Sequence, residues 1–194
     1  FFAYVSLQFC NIGINFALPN YAQIVVGAGS LIGGLMLLPG SLITAVCQPW
    51  FGHLLDAHGA RLPILLGNSL FVLAALGFTL MGQHLSVIII AVLYIVFSIG
   101  RSMAFSNTMT NGLKEVTIQQ RADANAIYNT GQQFAGSLGT TILAALMSSV
   151  KNGQMSYAHE TAVGSQLAFG LILVLGLLNF ILYTIVFRYQ TTDK

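Results

Sequence analysis

The chain of 194 residues is 56% hydrophobic and only 6% charged, with a formal net charge of +2. Soluble domains carry about 25% charged residues, so a water-facing globule of this composition would lack polar covering, and the chain is read as an integral membrane protein. The few Lys and Arg residues are scattered rather than clustered, which excludes nucleic acid as a partner.

A helix needs roughly 20 apolar residues to cross the hydrocarbon core. Six such stretches follow one another, near 2–26, 30–54, 62–82, 85–108, 123–150 and 165–188. The first opens at Phe1 within an apolar run, with no basic n-region and no cleavage site, so residues 1–194 are expected to be an excised piece of a longer protein. Along it Gln8, Asn11 and Asn15 stand three and four residues apart and fall on one helical face. That stripe is either a cavity wall offering hydrogen bonds or polar glue between helices. Pro19 removes a backbone donor near the far end and is expected to kink the helix. Cys10 and Cys47 lie in the first two spans as small apolar residues rather than a disulfide framework.

The second span carries Pro39-Gly40 and runs into a polar hinge, Gly52-His53-Leu54-Leu55-Asp56-Ala57-His58-Gly59-Ala60-Arg61. Gly59 is free to adopt a backbone angle that other residues avoid. Asp56 and Arg61 are close enough to pair with each other or with helix termini. His53, Asp56 and His58 invite a zinc reading, but Asp56 is explained by the turn and the two His lack the i, i+4 spacing of a helical site, so no metal is expected.

Spans three and six are almost wholly apolar and are expected to be peripheral, facing lipid; the polar side chains of the others should turn toward protein or a wet cavity. On the fourth, Tyr94, Ser98, Arg101, Phe105 and Thr108 share a face, and Arg101 is the one charge deep inside a span. It binds an anionic group, meets a carboxylate from elsewhere or gates the cavity; otherwise it snorkels to the headgroups. No Asp or Glu is expected deep in any span. The fifth aligns Asn125, Asn129, Gln132, Gly136, Gly139 and Thr140, with Gly131 and Ala135 beside them, and such small residues let helix backbones approach closely. His84 and His159 fall in expected loops. With no Ser-His-Asp arrangement, phosphate loop or paired carboxylates, no catalytic residues, enzyme activity or cofactor are expected.

The hinge pattern G-x-x-x-D-x-x-G-x-R, at Gly52, Asp56, Gly59 and Arg61, resembles the signature loop of the major facilitator superfamily, although Ala57 and Leu62 stand where that family often has basic residues. The run Asn129 to Gly139 is similar to the penultimate helix of its fourteen-helix drug:proton antiporters, and Leu37-Leu38-Pro39-Gly40 to their Pro-Gly kink. The resemblance implies an all-α membrane protein of six transmembrane helices in a 3+3 repeat, the C-terminal half of a major facilitator fold as a single bundle over 1–194. It implies proton-coupled efflux of drugs or other small molecules by alternating access across the plasma membrane of a bacterium. The N-terminal half, the bilayer, a small-molecule substrate and protons are then the partners. The substrate cavity is drawn from Gln8, Asn11, Asn15, Tyr94, Ser98, Arg101 and Phe105, and the hinge acts as a cytoplasmic latch. Pro39, Gly40, Gly131, Gly136 and Gly139 serve helix packing, against the other half.

The loop is cytoplasmic in that family. On that side Arg61, Lys114, Arg121, Arg188 and Lys194 face a single Lys151 opposite, in keeping with the positive-inside rule, and both ends of the segment are then cytoplasmic. Two alternatives stay open: a sugar or metabolite transporter of the same superfamily, and a six-helix permease working as a homodimer.

Overall fold

The computed structural model describes the backbone of residues 1–150 and 155–192, with side chains to 188. Lys151 and Lys194, two of the charges weighed above, lie outside the described residues. All regular structure among the described residues is helical: α1 (Phe2–Ile24), α2 (Ser30–Leu35), α3 (Leu38–His58), α4 (Arg61–Leu80), α5 (Val87–Lys114), a 3-10 turn at Ile118–Gln120, α6 (Arg121–Ser148) and α7 (Tyr157–Thr192). Four segments are long and apolar enough to span a bilayer: α2 with α3, α4, α5, and α7 to Arg188. The helices α1 and α6 are also long, at 23 and 28 residues, but amides and hydroxyls dilute their apolar content.

Several boundaries differ from expectation, each for a local reason. The second span is broken in two, because Pro39 and Gly40 open a fresh helix after a short turn. The fourth runs on to Lys114, past the expected end at 108. The sixth begins at Tyr157 rather than 165, with Ser156 as its cap: the His159 amide donates to Ser156 Oγ, and Glu160 Oε1 accepts from the Met155 amide at 3.4 Å. His159 is therefore helical, and Glu160 is buried in the first turn of α7, ahead of the stretch from 165 that was expected to hold no acid at depth.

α4 packs on both α5 and α7, while α3 and α6 bury smaller shares of themselves than α4 within this chain. Glycine sets the closest of these contacts. A Cβ built on Gly67 would lie 2.7 Å from the Gly100 carbonyl oxygen and the Ala104 amide, so α4 and α5 touch backbone to backbone. On their other sides α4 and α7 do expose apolar residues, among them Leu66, Leu73, Leu80, Leu177 and Ile181. An apolar side chain suits lipid and a neighbouring helix equally, which is why composition could not separate the two.

The glycines of α6 also have a different neighbour from the one expected. Gly139 lies on the backbone carbonyl of Phe9, and Gly136 faces Ile12, so both seat α6 against α1 rather than against a second half. Gly131 lies against Val5 of α1 and against Phe1, which precedes that helix.

Candidate functional site

A cleft of about 420 Å³ opens between α1, α3 and α5. From α1 come Asn11 and Asn15; from α5 come Tyr94, Ser98, Arg101, Ser102, Phe105 and Ser106; from α3 come Ser41, Thr44, Ala45 and Gln48. Of the residues proposed from sequence, Asn11, Asn15, Tyr94, Ser98, Arg101 and Phe105 come together here. Gln8 does not: it is buried one turn away, outside the lining. The wall from α3 was missed, although Ser41, Thr44 and Gln48 recur at i, i+3 and i+7 in an otherwise apolar span, the spacing of one helical face.

The cleft is ordered by hydrogen bonds that cross between helices. Tyr94 Oη donates to Asn15 Oδ1 at 2.7 Å, joining α5 to α1. The same ring rests on Gly40, where an added Cβ would sit 2.7 Å from the ring edge, so the Pro39-Gly40 break seats Tyr94. Ser102 Oγ donates to Gln48 Oε1 at 2.9 Å, and Gln48 Nε2 donates to Ser106 Oγ at 2.6 Å, joining α5 to α3. The Gln48 bridge uses both ends of its amide, which fixes its orientation.

Arg101 stands at the centre of α5, fourteen residues from Val87 and thirteen from Lys114, or roughly 20 Å from either end. Its guanidinium lies 5.4 Å from the centroid of the Phe105 ring. Phe105 is backed by Tyr4, stacked at 4.1 Å, and Tyr4 Oη donates to Gln132 Oε1 at 2.6 Å. An aromatic shelf drawn from α1 and α5 and tied to α6 thus holds the cation inside the cleft, one turn along the helix and still about 14 Å short of Lys114. Arg101 Nε is buried without a hydrogen-bond partner, and among the described residues no carboxylate lines the cleft. A buried charged donor left unmatched is costly, so the position calls for an acceptor.

At the hinge, α3 ends at His58, and Gly59, at φ 73° and ψ 177°, turns the chain into α4. That combination is almost confined to glycine. Asp56 pairs not with Arg61 but with Lys114 at the end of α5, at 4.0 Å. Both side chains are more than half exposed, so the contact is weak by itself.

A sequence model of the Major Facilitator Superfamily matches residues 1–140. The chain belongs to this superfamily. It is 36% identical over 147 residues to the lincomycin resistance protein LmrB of Listeria innocua serovar 6a, a match covering 76% of this chain and 30% of that protein. It is 31% identical over 173 residues to the MFS-type transporter YcnB of Bacillus subtilis, covering 88% and 37%. The multidrug resistance protein Stp of Mycobacterium tuberculosis matches at 25% over 144 residues, covering 74% and 27%. The chain thus spans about a third of the length of the curated relatives it matches. No solved structure matches it. As a superfamily member with apolar helices of spanning length, it is an integral membrane protein and not an enzyme.

Proposed function

We propose that this chain is the C-terminal six-helix half of a proton-coupled efflux transporter of the superfamily, and that substrate crosses along the cleft between α1, α3 and α5. The unmatched Arg101 donor at the midpoint of α5 carries the reading, since secondary transporters bind near the bilayer midplane. The names of LmrB and Stp favour drug export. In support of a 3+3 repeat, the packing partners interchange when the triplets are exchanged: α1 lies on α6 as α5 lies on α3, and α4 on α5 as α7 on α1. The N-terminal half closes the cleft and supplies the proton-carrying carboxylate, because Glu160 is committed to the start of α7. Both ends of the segment then face the cytoplasm of a bacterium.

Proton-gradient-driven efflux from cells making the protein at its natural length tests this, with a panel of lipophilic cations, a lincosamide and small organic anions. Efflux of the drugs that collapses with the gradient is expected. A second reading, export of a polar metabolite or anion, is favoured by the cleft's hydroxyls, amides and lone cation, and selective efflux of the anions would establish it instead.

The hinge serves as a latch in this scheme, with Asp56 holding Lys114 across the ends of α3 and α5. Exposed ion pairs contribute about 0.2–1 kcal/mol. Asp56→Asn is therefore expected to shift the balance of states by up to about fivefold and to slow transport, while the amount of protein in the membrane stays unchanged. Unaltered transport rates would remove Asp56 from the latch.

A further inference from the structure

A second cleft, of about 390 Å³, lies on the outer side of the bundle between α4 and α7, and the cavity proposed for substrate does not touch it. Its rim is His58 and Arg61, on either side of the Gly59 turn; its walls are Leu62, Leu65, Leu66 and Phe180. Among the described residues no carboxylate lines it, and none pairs with Arg61. We propose that this cleft binds one anionic phospholipid, with the phosphate on Arg61 and His58 and an acyl chain against the leucines and Phe180.

The argument is one of matched polarity along one direction. Arg61 opens a helix long and apolar enough to span the membrane, so its charge sits at headgroup level. A guanidinium offers phosphate two parallel hydrogen bonds, and a ring N–H of His58 adds a third donor. From Arg61 to Ser69, at the far end of the cleft, is roughly 12 Å along the helix axis, which carries the wall from the headgroup into the hydrocarbon. Beyond the cleft α4 continues with exposed Leu73 and Leu80, and α7, running the opposite way, with Leu177 and Val174. A free anion would match the rim but not the walls, and a soluble partner would meet hydrocarbon below it. The proposal needs only that the chain is embedded in a bilayer, and stands apart from the transport reading.

The test uses the natural-length protein in nanodiscs, with Leu66→Trp as a reporter in the cleft and the parent protein's fluorescence subtracted. Brominated phosphatidylglycerol is expected to quench this reporter at about fivefold lower mole fraction than brominated phosphatidylcholine, the preference that one interfacial arginine confers. Arg61→Gln on the same background should abolish the preference, and His58→Gln should reduce it. Leu73→Trp, on the same helix but outside the cleft, should be quenched equally by both lipids. Equal quenching of the Leu66→Trp reporter by the two lipids, or a preference surviving both rim substitutions, overturns the proposal. So does a reporter that neither lipid quenches, since another protein segment would then cover the cleft.

Discussion

Replacing Arg101 by Gln in the natural-length protein is expected to cost about tenfold or more in the apparent affinity for transported substrate, the loss expected from one hydrogen bond to a charged group. Membrane insertion should be unimpaired, because the change removes a charge from the middle of α5 and makes that span cheaper to bury. Concentration-dependent efflux separates the two effects: the half-saturating concentration rises while protein level and maximal rate are retained. A variant with normal half-saturation would assign Arg101 to packing against Phe105 alone. Arg101→Lys should restore only part of the affinity, since a compact ammonium cannot lie across the Phe105 ring while presenting a planar fork to an acceptor.

The largest loss of stability is expected at Gly139. A Cβ there meets the Phe9 carbonyl oxygen, and its carbon and Cα at 3.0 and 3.1 Å, all backbone of α1. Nothing in that contact can rotate away, so α1 and α6 must separate along their shared interface. Gly139→Ala is expected to destabilise by about 1–3 kcal/mol, and Gly139→Val by more. Gly136→Ala is the control: its Cβ would meet Ile12 Cγ1 at 3.1 Å, the side chain of a residue that can change rotamer. A fall in the apparent melting temperature in detergent for Gly139→Ala and little change for Gly136→Ala checks the assignment. Equal falls would mean that crowding along the whole helix matters rather than the backbone contact.

The candidate cleft was partly legible before the fold was known. Asn11, Asn15, Tyr94, Ser98, Arg101 and Phe105 stand out because polar groups in apolar spans are expensive, and their spacing placed each set on one face. Gln8 obeyed the same rule and still fell elsewhere, since periodicity gives a direction around a helix but not where along it the neighbours part. The polar face of α3 was overlooked because Ser41 and Thr44 are cheap to bury: a hydroxyl can bond back to its own helix, as Thr44 does to the Gly40 carbonyl. Glu160 was hidden for a related reason, its helix beginning a full two turns before the apolar run.

From its residues alone, the chain declared membrane helices, a tight glycine turn at Gly59 and a superfamily, because each follows from local composition or a short motif. Only the tertiary structure decided which helices touch. It set α4 between α5 and α7, turned Gly136 and Gly139 toward α1, and gave Asp56 to Lys114 rather than to Arg61. The reason is that hydropathy records the cost of water, whereas lipid and a neighbouring helix are equally dry. What separates them is how closely two backbones can approach, and that depends on glycines far apart in the chain that meet only after folding.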